Sequence, residues 1–197
     1  MKTTNLFTLL MLFVLFACNA GGKSGNPSLR FGIHEMVRIS EFPAFVMDTL
    51  KTAALRPEHD QQSSILGYLT KNDPLPFDGL NLMEGIRFLK VLFPVDEEGQ
   101  YQAIVAVKQE PVLNLTDVRE TKSRGQNVEI YFTLEGARKW AAMTEGNMGR
   151  NVAFVIDDHV YSMPLINGMI KSGVAVISGL PDELTATELS ERMNEGL

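Results

Sequence analysis

Gly149-Arg150-Asn151-Val152-Ala153-Phe154-Val155-Ile156-Asp157-Asp158-His159-Val160-Tyr161-Ser162-Met163-Pro164 reads as a strand, a tight polar turn and a returning strand. Val152 to Ile156 is continuously apolar and rich in β-branched and aromatic residues, the pattern of a strand buried on both faces. Asp157-Asp158-His159 makes the turn, and Val160 to Ile166 is the return. Pro164 has no N–H to give a ladder, so it confines that part of the return to an edge or an irregularity. Upstream, Val128, Ile130, Phe132 and Leu134 alternate with Glu129, Tyr131 and Thr133, which predicts a strand with one buried face. Ala137, Trp140, Ala141, Thr144 and Met148 then recur at helical spacing over about four turns. Gly149 stands where a helix end favours a left-handed residue. Downstream, Gly168 and Gly173 flank Met169 to Ser172, and Val174 to Ile177 is a further strand. Thr185-Ala186-Thr187-Glu188 has the spacing of a capping box and opens a final helix with Ala186, Leu189, Met193 and Leu197 on one face.

The earlier half carries weaker signals. Met36 to Ile39 predicts a strand, and Ser40 offers an N-cap with Glu41 and Pro43 in the first turn. Phe42, Phe45, Val46, Thr49, Leu50 and Ala53 then place an amphipathic helix over residues 41 to 54. Pro57 to Ser64 and Lys71 to Gly79 are polar or proline-bearing loops around a short strand, Ile65 to Thr70. Leu82, Ile86, Leu89 and Phe93 predict a helix across Gly85, and Tyr101 to Lys108 a strand. Asn114 to Val118 turns the chain, and Glu120 to Gln126 reads as a polar loop. Strands and helices mix without regular alternation, so the expected class is α+β, a mixed, largely antiparallel sheet packed against amphipathic helices in one compact domain.

The N-terminus has its own logic. Lys2 supplies a basic start, and Leu6 to Ala17 is almost wholly apolar. About a dozen residues are too few to span a bilayer, which takes roughly 20, but they suit the apolar core of a signal peptide. The run ends in Leu15-Phe16-Ala17-Cys18, which resembles a bacterial lipobox, so Cys18 is the expected lipidation site and mature N-terminus. Cys18 is the chain's single cysteine, which excludes an internal disulfide and a multi-cysteine metal site. Asn19 to Ser28, rich in Gly and Ser, reads as a flexible tether. The organisation expected is a signal peptide (1–17), a lipidated cysteine and tether (18–28), an α+β portion of unassigned type (29–100) and a domain over 101–197. Such a chain is anchored in the bacterial envelope with its domain in the periplasm.

The 197 residues, 45% hydrophobic and 21% charged, suffice for a real core. A formal charge of -6 offers no basic stripe for nucleic acid or an anionic membrane surface. His34-Glu35, His59 and Asp157-Asp158-His159 are the material for an envelope hydrolase or metal site, but they lack the HExxH or HxH spacing such a site needs. Solvated turn residues are the simpler reading for the histidines. Asp157-Asp158 lacks the alternating oxygen ligands and closing Glu of a calcium loop. Ser178 lacks a nucleophile elbow, and Gly146 to Arg150 lacks the Lys-Ser/Thr and following helix of a phosphate loop. Trp140 falls on the apolar face of its helix and reads as core. No catalytic residue, metal ligand or cofactor is expected.

Glu135-Gly136-Ala137-Arg138-Lys139-Trp140, Thr144, Asn147, Gly149, the run 152–156, Asp157, Val160, Pro164, Ile166 and Ile177-Ser178-Gly179 together resemble the first periplasmic domain of the export protein SecD. The likeness covers Tyr101 to Leu197, with Thr185, Ala186, Leu189 and Gly196 fitting the family's closing helix; residues 29 to 100 match it poorly. It implies a periplasmic domain that contacts emerging polypeptide during proton-driven export. It also implies that this chain, without SecD's membrane spans, cannot run that cycle alone. The resulting expectation is a non-enzymatic lipoprotein whose sheet edge or apolar groove holds a polypeptide or a membrane-protein partner. The alternatives are the envelope hydrolase and a sensory or structural lipoprotein.

Overall fold

The computed structural model describes residues 29–52, 56–57, 60, 62–76 and 82–197. The expected signal segment, Cys18, the tether and His59 lie outside the described residues. In chain order the elements are β1 (Phe31–Val37), α1 (Ala44–Thr52), β2 (Arg56–Pro57), β3 (Ile65–Thr70), β4 (Ile86–Val91) and β5 (Tyr101–Lys108). They continue with β6 (Leu113–Asn114), β7 (Val118–Arg124), β8 (Asn127–Phe132) and α2 (Leu134–Gly146). The last are β9 (Val152–Ile156), β10 (His159–Ser162), β11 (Val174–Ile177) and α3 (Glu183–Glu195).

Five strands close into a ring in the order β5-β4-β10-β9-β1, because β1 pairs with β5 through Met36–Val107 and Val37–Ala106. Only β4 and β10 run parallel among the described pairings. β3 and β2 extend the sheet beyond β5, β6 lies beside β1, and a second sheet has the order β11-β8-β7. The fold is therefore α+β, with mixed, largely antiparallel sheets.

Strand alternation distributes side chains among three cores. Ala103, Val105 and Val107 of β5 turn into the ring, where they meet Met36, Leu89, Val91, Ala153, Val155 and Val160. Ile104 and Ala106 turn outward and are covered by Val46 and Leu50 of α1. Val152, Phe154 and Ile156 leave the ring on the other side, packing against Val128, Ile130 and Phe132 of β8 together with Trp140 and Leu189. The strand Val152–Ile156 is fully buried because one face lines the ring and the other meets the second sheet. Each such Val or Ile contributes about 1.5–3 kcal/mol on burial.

Several sequence expectations are corrected. Leu82 to Phe93 is not a helix: a turn at Gly85, with φ +73°, leads into β4. That backbone conformation is foreign to a helix interior, and the apolar spacing was coincidental with a buried strand. Glu120 to Gln126 is not a polar loop, since residues to Arg124 form β7. Val118 and Thr121 alone in β7 are buried, and a bulge between Val118 and Glu120 hides the period of two. The first strand runs from Phe31 to Val37, and a 3-10 turn at Ile39–Glu41 delays α1 until Ala44. Helix α3 is capped by Asp182, which accepts from Thr185 N–H at 2.7 Å, one turn before the expected capping box. Leu197, placed on its buried face, is exposed.

Candidate functional site

The structure separates the titratable residues that composition alone would group. His34, read as a solvated turn residue, is instead 4% exposed in β1, its Nδ1 2.8 Å from the Lys108 carbonyl oxygen. Burial is the largest influence on its pKa and holds it below the ordinary histidine value. Glu35 points the other way, paired with Lys108 and accepting from Asn147 Nδ2 at 3.0 Å. Burial raises the Glu35 pKa, but hydrogen bonds from Lys108 and Asn147 outweigh it and the carboxyl sits below its usual value. His159, read as part of the turn, is instead the exposed first residue of β10, with Nδ1 3.0 Å from the carbonyl oxygen of Asp157 two residues earlier. Among the described residues no group of three or more His, Cys, Asp or Glu stands close enough to hold a metal. Ser178 is exposed just after β11, and Trp140 is 2% exposed between Phe132 and Phe154, with ring centroids at 5.8 and 6.1 Å.

Asp157 and Asp158 form a latch. Both have positive φ, 46° and 66°, as a two-residue hairpin turn of this hand requires. Asp158 binds Arg30 and, at 2.5 Å, Arg87; Asp157 binds Arg192 of α3 at 2.7 Å. One turn thus ties the chain before β1, strand β4 and the C-terminal helix together. Burial raises the Asp158 pKa, but the bonds and charges of Arg87 and Arg30 prevail and lower it overall. These arginines carried no sequence signal, because their partners lie up to 128 positions away.

A polar cleft of about 310 Å³ lies between the end of β1 and the end of α2, lined by Glu35, Glu41, Lys108, Asn147 and Arg150. Its charges close on one another. Arg150 Nη2 binds both Glu41 oxygens at 2.5 and 2.7 Å, and Lys108 binds Glu35. A ligand entering here would have to displace those pairs.

The two edges of the second sheet differ in kind. On β7, Thr121 N–H donates to Asn194 Oδ1 at 2.8 Å and Asn194 Nδ2 donates to Thr121 O at 3.0 Å, so an amide side chain of α3 occupies the place of a neighbouring strand. Arg119, Glu120, Lys122 and Arg124 surround that sealed edge, with the bulge beside them. On β11, Phe132 N–H donates to Gly173 O at 3.0 Å, and the register runs on through Val174–Tyr131, Ala175–Ile130, Val176–Glu129 and Ile177–Val128. Antiparallel alternation then directs the main-chain groups of Ala175 and Ile177 to β8 and those of Val174 and Val176 outward. Ala175 and Ile177 are buried, whereas Val176 is 41% exposed. The apolar run Val174 to Ile177 was the signal for β11 in the sequence; Asn194, a polar residue on a helix, gave none.

The family model described as SecDF, P1 head subdomain, matches residues 91–197. The chain is similar to the protein translocase subunit SecD of Rhodothermus marinus, 33% identical over 123 residues that make 58% of this chain and 20% of that protein. It is also similar to SecD of Desulfurispirillum indicum, 46% identical over 69 residues, 35% of this chain and 13% of that one. It therefore spans a fifth or less of the length of these relatives. Among solved structures it is similar to a chain of SecDF, a membrane component that enhances protein export, at 20% identity and TM-score 0.44, covering 84% of this chain and 93% of that one. With more than half of its residues matched by the family model, the chain belongs to the SecDF P1 head subdomain family.

Proposed function

We propose that this chain is a membrane-anchored, non-enzymatic binding module of the bacterial periplasm that contacts polypeptide in the course of protein export. The observation that carries the reading is membership of the SecDF P1 head subdomain family, whose matched relatives are translocase subunits. The site chemistry is in accord with it: Glu35, Glu41, Asp157 and Asp158 are held in ion pairs and His34 is buried, while a strand edge stands open to solvent. No helix among the described residues is long and apolar enough to cross a membrane. Attachment in this reading comes from acyl chains on Cys18, each buried methylene contributing about 0.8 kcal/mol. Partners are then the membrane through that anchor and a polypeptide or membrane protein, with no nucleic acid and no cofactor.

Crosslinking in native membranes, followed by identification of what is captured, tests the reading. Recovery of export machinery or of secreted chains in transit is the expected result. Recovery no greater than from an unrelated lipoprotein with the same Cys18 anchor would refute it. Labelling with a radioactive fatty acid tests the anchor separately, since the label must vanish in Cys18→Ala.

A further inference from the structure

We infer that β11 is a docking edge onto which an extended, uncharged stretch of polypeptide adds as a fourth strand of the β11-β8-β7 sheet. This inference rests on the polypeptide-binding reading above and gives it a site and a substrate class.

Three observations carry it. The first is the unpaired backbone. Among the described residues, the outward N–H and C=O of Val176 have no hydrogen-bond partner, and the Val174 N–H has only a long contact of 3.4 Å to Ser172 Oγ. An exposed row of this kind is a template for another strand unless the protein blunts it with charge, proline, a bulge or a covering element. The second is that this molecule blunts the opposite edge with charge, a bulge and a covering side chain, whereas β11, though only four residues long, carries none of these three. Edge β7 has its charged residues, its bulge and Asn194. Ser172 to Gly179 contains no ionisable residue and no proline, and its four-residue pairing with β8 is regular.

The third observation concerns side chains. On the solvent face Val174 stands opposite Tyr131 and Val176 opposite Glu129. Glu129 is engaged by Arg124 at 2.8 Å and by the Tyr131 hydroxyl at 2.5 Å, while Lys122 Nζ lies 4.9 Å from the Tyr131 ring centroid. The charges of this face are thus satisfied among β7 and β8, and two valines meet the incoming strand. β-Branched and aromatic residues pair best with such neighbours, and a charged residue finds no complement. Main-chain hydrogen bonding supplies affinity without regard to sequence, which is what a module that meets many different chains requires. Stable assemblies bury roughly 800 Å² per partner, far more than a four-residue edge offers, so the edge suits a passing extended chain better than a second copy.

The test uses the full-length protein in detergent and a fluorescent decapeptide of alternating Thr and Val with solubilising lysines outside that block. Binding is read by anisotropy for this peptide and for the same peptide N-methylated throughout the block. The expected result is binding that weakens at least tenfold on N-methylation, in Val176→Pro and in Val176→Lys, and is unchanged in Phe45→Ala on α1. Circular dichroism of the variants separates lost binding from lost fold, and the N-methylated peptide needs no variant at all. Peptide binding indifferent to N-methylation and to both Val176 substitutions would overturn the docking edge while leaving the broader reading intact. No binding of this peptide, with membrane crosslinks still recovering polypeptide, would likewise overturn the edge; loss of both would sink the two together. A wild-type dimer that Val176→Lys converts to monomer in sedimentation would assign the edge to a second copy and overturn the inference.

Discussion

At the scale of single residues, position in the fold reverses rules that hold in isolated helices. Gly136 and Gly146 both lie in α2, where Ala is ordinarily worth up to about 1 kcal/mol over Gly. A Cβ on Gly136 would fall 2.3 Å from the Asp117 carbonyl oxygen, a backbone atom, whereas one on Gly146 meets nothing within 4 Å. Gly136→Ala is therefore expected to destabilise by about 1–3 kcal/mol, the usual cost of overpacking, and Gly146→Ala to be neutral or stabilising. Urea midpoints measure both; equal shifts would refute the close-approach account. His34 offers a second test. Its folded pKa is below the ordinary 6.5, so the unfolded chain takes up its proton first as pH falls. The associated stability is fully present above that unfolded value and is lost progressively below it, toward the folded value. Arg87 adds to the depression, while the Lys108 carbonyl and Glu110 oppose it. Denaturation at pH 7.5 and pH 5 should show a larger fall for the wild type than for His34→Gln.

At the scale of elements, the β9–β10 turn does more than reverse the chain. Its two aspartates gather Arg30, Arg87 and Arg192 from separate parts of the sequence. The Asp158 pKa is depressed overall, so the stability it contributes is present above its unfolded value, near 4, and is lost as pH falls through the folded one. Asp158→Asn keeps a residue that tolerates positive φ but removes the charge. It should cost little at neutral pH, as solvent-screened pairs do, and flatten the loss of stability below about pH 4. A wild type and variant with identical acid limbs would show that the latch does not couple to folding. β7 and β11 make a further contrast at this scale. The same sheet ends in one strand sealed by Asn194 and one left open; the charges of β7 and their absence from β11 agree with this, but the sealing amide comes from α3, 73 residues along the chain from Thr121.

At the scale of the whole molecule, the ring of strands joins the two halves of the chain. β1 pairs with β9 at five positions, Phe31–Ile156 through Glu35–Val152, and closes the ring onto β5. The family match begins at residue 91, after β1, β3 and nearly all of β4. A fragment of residues 91–197 would leave one side of β9 unpaired and the inner faces of Val105 and Val155 without Met36 and Leu89. We expect that fragment to lack a cooperative thermal transition and that residues 29–197 will have one. Cooperative unfolding of the fragment would show that the ring is not needed for folding.

The sequence by itself determined what depends on near neighbours. The alternation of Val128, Ile130 and Phe132, the unbroken run 152–156, the Asp157-Asp158 turn and the helical spacing around Trp140 all encode their structure within a few residues. That local record also carried the family resemblance, and so the class of domain. The tertiary structure alone decided what depends on distant partners: that Ile86–Val91 is a strand, that the charged segment 118–124 pairs with β8, that His34 is buried, and that β1 shuts the ring. The physical reason is that burial and hydrogen bonding are completed by whichever surface arrives opposite. In β7 every side chain but Val118 and Thr121 is exposed or half-buried, so the strand exists because of its neighbours. The open edge at Val174 and Val176 is likewise a property of the assembled sheet, since an edge is defined by the strand that is not there.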